Sequence, residues 1–478
     1  IDLCSFRVSF DARGGRISSL ELVEHRRDPS QAESRPINLI SPQSRQLDHY
    51  PLSIVTGDPA LDASINREAW YRVRERTPSS EELAERELAE GTRRIDMDWA
   101  DGQGIVVHKT VYLPPDGRYL FRVEWEVTRR GSPIDGARLS WGPGVGEKIA
   151  ERTATRYAYR GRVVTAVGSD TEEYDPGDVE TEVVWPAGAA PRWLALESQY
   201  FAVAMVPAVR SSAAVQAFDG LAEELAYQDL GIATSSPAVT LFAGPKSDQL
   251  LYEIDADMGT DLKELVHWGF FGFIARPVYL ALAWLKDTVG NWGVAIVIVT
   301  LVIRILFFPL TQKAMISMRV TQQRMSKLQP KIRKIKEKYK DKKDMESRRK
   351  LQEETMAVYK QEGVNPMSTL TGCLPLLLQL PVLYAMYTVL SVSIDLRGAE
   401  FFGWLRDLSA PDPYYVTPLV MGASMLLQQL MSLTKTEDPQ QRSQQRIMMM
   451  MPLFFTFFFL KLPSGLVLYW LVNNILGI

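Results

Sequence analysis

Along residues 118–130 apolar and charged side chains alternate, with Phe121, Val123, Trp125 and Val127 on one side and Arg122, Glu124 and Glu126 on the other. A period of two predicts a half-buried strand. A partner run at 105–113 precedes the turn signal Pro114-Pro115-Asp116-Gly117. Further short runs at 162–167, 193–196, 200–207 and 239–243 are separated by Gly, Pro and Asp. This spacing predicts an all-β sandwich of many strands over residues 1–260. One stretch of helical composition, 80–90, reads as a charged surface excursion.

Beyond residue 260 the pattern changes. Four runs, 292–310, 370–390, 416–433 and 447–478, have the apolarity of membrane helices, which need about 20 residues to cross a hydrocarbon core of about 30 Å. Lys461-Leu462-Pro463-Ser464-Gly465 breaks the last run into a helical hairpin. Residues 290–478 are therefore expected to hold five core spans, at about 292–312, 370–391, 415–433, 447–461 and 464–478. Residues 261–289 read as a linker with an interfacial amphipathic helix at 265–285, apolar but carrying His267, Arg276 and Pro277. Within 318–361, Met325, Leu328, Ile332, Ile335 and Tyr339 recur at coiled-coil spacing. A second helical stretch follows Asp341-Lys342-Lys343-Asp344, which predicts a helical hairpin. The fold class is mixed: an N-terminal all-β body and a C-terminal polytopic α-helical membrane body.

Charge sharpens this division. The 478 residues carry a formal net charge of only -3. Residues 1–262 hold 28 Lys+Arg and 42 Asp+Glu, a balance of -14, and residues 263–478 hold 26 and 15, a balance of +11. The segment 313–362 has 16 basic and 7 acidic residues, whereas 394–414 has 2 and 4. Basic loops stay in the cytoplasm, so the hairpin is expected inside and the β-body outside, in the periplasm of a two-membrane bacterium. Two cysteines, Cys4 and Cys373, exclude a disulfide scaffold. The opening on Ile1, without an initiator Met or a signal-like segment, reads as a fragment or processed product.

His25, His49 and His108 lack ligand or triad spacing and read as structural. Gly142, Gly144, Gly146 and Lys148 match a phosphate loop only in part, because Glu147 stands where its last Gly is needed, and are read as a turn. No metal, cofactor or nucleotide site is expected, and no catalytic set.

One residue breaks the membrane pattern. Arg304 lies about 18 Å along its helix from Trp292, where a charge costs about 2.5 to 3.5 kcal/mol on insertion scales. Thr300, Arg304 and Thr311 fall within about 40° of one another and make a polar stripe. Gln379, Gln428 and Gln429, Thr456, and Tyr469 with Asn473 one turn on, bring polar groups to the other spans. Together they predict a hydrophilic pocket that closes before the outer face. A transporter or channel with a sugar-binding-like β-domain would also place polar groups at midplane. Such proteins usually show inverted repeats or paired charges, and Arg304 has no acidic partner within the spans.

The order of motifs resembles the YidC/Oxa/Alb family of membrane protein insertases, in its bacterial form with a large periplasmic domain. The matching residues are Gly290-Asn291-Trp292-Gly293, Ile303-Arg304, Pro309-Leu310-Thr311, Val364-Asn365-Pro366 and the run from Cys373-Leu374-Pro375 to Gln379-Leu380-Pro381. Asp412-Pro413-Tyr414-Tyr415 and the run from Pro463-Ser464-Gly465 to Tyr469-Trp470 complete the set, with thinner matches at Tyr200-Phe201 and Gly244-Pro245-Lys246. The resemblance implies a periplasmic β-supersandwich, a first transmembrane helix ahead of residue 1, and five spans around a groove open to cytoplasm and lipid. It places the family's groove arginine on Arg304. The expected substrate groove is Arg304, Thr300, Gln379, Gln428, Tyr469 and Asn473. Met448, Met451, Phe455 and Phe458 form a soft apolar face for client helices. Lys327, Lys331, Arg333, Lys334 and Lys336 make the hairpin a dock. The partners implied are nascent membrane proteins, the SecYEG translocon, the ribosome and signal recognition particle machinery, and the lipid bilayer.

Overall fold

The computed structural model describes residues 1–477 other than 32, 147–161, 169, 176–177, 179–181, 187–190, 209–211, 219–226, 234–237, 340–343, 362–373 and 433–438. Two units are distinguished, Ile1–His267 with Val392–Gly398, and Trp268–Ser391 with Ala399–Ile478.

The alternation along 118–130 becomes the strand Leu120–Arg129, with Phe121, Val123, Trp125 and Val127 buried. It lies within a ten-stranded antiparallel sheet. The order runs from Asp170–Tyr174 through Arg162–Val167, Leu194–Glu197, Phe201–Pro207, Ala238–Pro245, Leu120–Arg129, Ile105–Leu113 and Arg93–Ala100 to Arg72–Arg76, with Ser132–Pro133 paired to Leu120–Arg129. A five-stranded sheet joins Glu182–Trp185, Ser212–Phe218, Tyr227–Ala233, Arg138–Trp141 and Ser53–Val55, and a three-stranded one joins Phe6–Asp11, Arg16–Arg26 and Pro36–Asn38. Leu194–Glu197 and Phe201–Pro207 pack against Tyr227–Ala233 of the second sheet, and Trp141, Trp193 and Phe201 are buried. The 80–90 excursion is the short helix Ser80–Glu85, capped by Ser79. Residues 142–146 form the expected turn, with Gly144 and Gly146 at positive φ, and the continuation from Glu147 lies outside the described residues.

Two buried lysines organise this body. Lys109 donates to the carbonyls of Gly14 and Gly15 at 3.0 Å each and of Leu52 at 2.7 Å, with Tyr71 beneath it. Burial, with Arg16 nearby, lowers its pKa to about 7. Lys246 pairs with Glu197 at 3.0 Å, both essentially inaccessible. Glu197 also accepts from Arg162 Nε at 2.6 Å and faces His267 Nε2 at 3.1 Å. This accounts for Gly244-Pro245-Lys246: Lys246 reaches the carboxylate, and a Cβ at Gly244 would strike Tyr119. The other histidines have ordinary neighbours: His49 meets Ser140, His108 meets Asp98, and His25 lies edge-on to Phe201.

The expected interfacial segment is divided. Leu262–Leu265 forms a short 3-10 turn with Leu262, Leu265 and Val266 buried, and the chain as far as His267 belongs to the β-unit. The helix begins only at Gly272 and ends at Val289, where Gly290 takes the left-handed conformation that terminates it. Trp292–Lys338 comes next, a single helix of 47 residues, about 70 Å at 1.5 Å per residue. It therefore outruns any bilayer, and the first span and the first hairpin arm are one element. Met345–Gln361 returns along it, with Leu328 and Ile332 packed on Val358 and Tyr359, as the seam predicts. Leu374–Val392, Val416–Ser432, Pro439–Phe459 and Ser464–Ile475 complete the unit. Among the described residues one helix, Trp292–Ser317, is long and apolar enough to cross a membrane, and Gln379–Val392, Val416–Met431 and Met448–Phe459 are shorter apolar helices.

Two outcomes test the packing of the β-body. Glu197→Gln takes the buried carboxylate away from Lys246 and from Arg162, which keeps its contact with Glu173, and is expected to lower stability by roughly 3 kcal/mol, with part regained on adding Lys246→Met; urea unfolding followed by tryptophan fluorescence measures both. His25 is held neutral, its pKa lowered to about 4 by burial and then by the Arg397 guanidinium. The unfolded chain takes up this proton near pH 6.5 and the folded one only near 4, so stability falls as pH falls through that window. His25→Gln is expected to flatten the unfolding midpoint over the same range.

Candidate functional site

Arg304 sits on the long helix, half-buried, three turns inside its start. The same helix buries Ala295, Ile296, Val299 and Thr300 and exposes Leu301, Val302, Ile305, Leu306 and Phe308. One face thus meets the other helices and a broad apolar face does not. Among the described residues no ion pair engages Arg304.

The groups nearest Arg304 come from the last helix and from Val416–Ser432. A Cβ built on Gly477 would stand 2.8 Å from Arg304 Nη2 and 2.7 Å from Gln428 Nε2. Glycine therefore leaves the space in which the guanidinium and the amide meet. Tyr469, fully buried, accepts a hydrogen bond from Gln379 Nε2 and lies within electrostatic reach of Arg304. Four of the six expected groove residues, Arg304, Gln428, Gln379 and Tyr469, are thereby linked.

The other two differ. Thr300 is 1% exposed and donates its hydroxyl to Ile296 O at 2.6 Å, so it satisfies itself on its own helix. Thr311 does likewise, donating to Phe307 O and Phe308 O. The polar stripe read from 100° spacing thus reduces to Arg304, because a hydroxyl can return to a carbonyl one turn back and a guanidinium cannot. Asn473 is half-buried, while its neighbour Asn474 is buried and donates Nδ2 to Ser424 Oγ at 3.3 Å. The Asn473-Asn474 doublet was the available signal, and the one-turn spacing from Tyr469 selects the wrong member for the helix contact. Trp470, buried on Phe455 and Phe459, keeps an indole N–H with no hydrogen-bond partner.

Met448, Met451 and Phe458 are exposed, whereas Phe455 turns inward and stacks on Trp470. The inward stripe of Pro439–Phe459 is Pro452, Phe455 and Phe459. A close seam joins it to the preceding helix, where Gly422 gives room for the Thr456 hydroxyl. On the hairpin Lys327, Lys331, Arg333 and Lys334 are exposed, Arg333 pairing with Glu337 at 3.1 Å. The side chain of Lys336 lies outside the described residues, as do Val364-Asn365-Pro366, Cys373 and the turn at 341–343.

Comparison with known proteins identifies both units. A family model described as the YidC periplasmic domain matches residues 1–281, and one described as 60Kd inner membrane protein matches residues 284–478. The membrane protein insertase YidC of Wolinella succinogenes is 33% identical over 473 residues, covering 99% of this chain and 79% of that protein. That of Vibrio cholerae is 34% identical over 482 residues, covering 98% and 82%. A crystal structure of an active YidC insertase with its first transmembrane domain resolved is similar at 19% identity and a TM-score of 0.39, covering 99% of this chain and 90% of that one. With the periplasmic-domain match spanning more than half of the chain and relatives a third identical along nearly all of it, this chain belongs to the YidC family, whose named members are membrane protein insertases.

Proposed function

We propose that this chain, an inner-membrane insertase with a periplasmic β-domain, moves short polar tails of nascent membrane proteins outward through a wet half-channel centred on Arg304. The observation that carries this reading is a permanent charge on an apolar helix with amide and phenol groups gathered at it and no acidic side chain to neutralise it. A groove open to cytoplasm and lipid shortens the dry distance, and the guanidinium attracts acidic residues of the entering tail. At about 4 Å and an effective dielectric near 20, that attraction is about 4 kcal/mol. The membrane potential, about 2.3 kcal/mol per charge per 100 mV, then draws a negative tail outward. The hydrophobic segment leaves sideways along Met448, Met451 and Phe458 into lipid. No nucleotide is required, and the work is transfer rather than catalysis.

In this reading the domain plan is residues 1–260 outside, 261–289 at the interface, and 290–478 as a five-span core with the hairpin 318–361 in the cytoplasm. Exposed Phe273 and Trp284 on Gly272–Val289 suit a helix lying in a headgroup layer, while Ala275, Tyr279 and Leu282 pack inward. The basic hairpin receives the ribosome and signal recognition particle machinery or anionic lipid, and the SecYEG translocon shares the larger clients.

In liposomes containing the protein alone, Arg304→Ala is expected to reduce insertion of an acidic-tailed client at least tenfold, about 1.4 kcal/mol, with Arg304→Lys retaining most of it. Normal insertion by Arg304→Ala across several such clients overturns the electrostatic step. Gly477→Val is expected to displace both Arg304 and Gln428 and lower the same activity several-fold. Gly477→Ala, meeting the flexible ends of two side chains and, at 3.3 Å, the Asn474 carbonyl, should lose less than Gly477→Val in the same assay.

A further inference from the structure

The loop Ala399–Tyr415 has little regular structure yet is tightly built. Asp412, 1% exposed, accepts from Trp404 Nε1 at 3.0 Å, from the Tyr414 amide at 2.9 Å, and from the Thr417 amide and hydroxyl at 2.8 Å each. Both carboxylate oxygens are used, and Thr417 lies in the first turn of Val416–Ser432, so the loop and the helix start are fixed together. The Asn291 side-chain amide donates to the carbonyls of Glu400 and Phe401 at 3.1 and 3.2 Å, and the Phe401 ring occupies the space that a Cβ on Gly293 would need. The amides of Ser464 and Gly465 donate to Ala410 O at 2.7 Å and Leu408 O at 3.0 Å. Three sequence signatures, Gly290 to Gly293, Asp412 to Tyr415 and Pro463 to Gly465, thus converge on one loop.

What that scaffold turns outward is aromatic. Leu405 and Leu408 are buried, whereas Phe402 is 76%, Tyr414 68% and Tyr415 51% exposed. Leaving such rings in water forgoes the gain of burying them, yet the loop buries its leucines instead. Arg406 is exposed beside them. The surface then continues without a polar break, because the next exposed positions are Val416, Leu419 and Val420 while Thr417 is buried. Aromatic rings with one polar edge and an adjoining apolar helix face suit the headgroup level of a bilayer.

We propose that Ala399–Tyr415 is a preformed membrane-interface anchor, with Phe402, Tyr414 and Tyr415 seated at the headgroup boundary of the outer leaflet and Arg406 on lipid phosphate. This rests on the membrane reading above. Unbroken continuity with the exposed face of Val416–Ser432 selects lipid as the occupant. The anchor fixes the depth of the helix ends that it clamps, and with them the level at which the polar groups around Arg304 stand.

The test uses the full chain carrying Cys4→Ser and Cys373→Ser in vesicles of phosphatidylcholine and phosphatidylglycerol. Phe402→Cys or Tyr414→Cys is labelled with an environment-sensitive fluorophore, with Glu81→Cys on an exposed helix of the β-body as the aqueous reference and Leu306→Cys as the deep reference. Nitroxide lipids labelled near the carbonyl are expected to quench the labels at 402 and 414 at least twofold more than lipids labelled deep in the chain. Iodide should quench them several-fold less than the label at 81. Iodide access equal to that at 81 overturns the anchor, as does protection that arises only when a client protein is added. If the label at 306 also escapes deep quenching, the membrane reading itself fails; if 306 is quenched and 402 and 414 are not, only the anchor does. Unfolding midpoints within a degree or two of the unsubstituted chain confirm that each labelled protein is folded.

Discussion

A guanidinium cannot shed its proton to enter oil, and that constraint governs the helical unit. Lysine or histidine on the same helix could neutralise itself; Arg304 must instead be kept among polar groups or water. The residues around it divide accordingly. Thr300 and Thr311 turn back on their own helix and leave the surroundings as apolar as before. Gln428, brought to Arg304 at Gly477, and the Gln379–Tyr469 pair do not. Their amide and phenol groups are polar neighbours for the charge, and among the described residues none of them neutralises it. An acidic partner would have lowered the cost further and removed the attraction that a client tail could use.

The β-body meets the same difficulty with a different solvent outside, and solves it by pairing. Lys109 is surrounded by three carbonyls, and Lys246 by a carboxylate that Arg162 also holds. Lys109 and Lys246 each have their polar counterparts within 3.0 Å. Buried pairs of this kind fix which strands lie together more than they add stability. Glu197 ends the strand on one side of Phe201–Pro207 and Lys246 follows the strand on its other side, so the pair ties the three together. Arg304 has no such ion pair among the described residues.

Much of this was legible in the sequence, because two periodicities are local properties. The strand Leu120–Arg129 falls where alternation puts it, Ile105–Leu113 and Arg162–Val167 fall on the short runs between turn signals, and Leu328 and Ile332 form the seam that their spacing implies. Strand order was not legible: Ala238–Pro245 lies beside Leu120–Arg129, over a hundred residues away, and no local pattern encodes that partnership. At the end of the β-body, 265–267 looked like the start of the amphipathic helix, since Leu265 and Val266 are as apolar as the helix that follows. Helical spacing also could not tell Asn473 from Asn474, or foresee that Phe455 would stack on Trp470. Angles around one axis give a face; which neighbour covers it is a tertiary fact. The charge division at residue 262 was the most informative reading, because it needed no geometry at all.

The continuity of Trp292–Lys338 adds a mechanical consequence. Pro309 removes the hydrogen bond that Ile305 O would otherwise accept, and Thr311 donates to Phe307 O and Phe308 O just beyond it. The backbone bends locally at such a site but does not become a swivel, for the helix runs on for more than seven further turns. The arm that carries Lys327, Lys331 and Arg333 is therefore the same rod that carries Arg304. A load on the hairpin bears directly on the helix that holds the charge, without an intervening loop to absorb it. Separate helices joined by a flexible turn would have decoupled the two, whereas here the basic surface and Arg304 share one backbone.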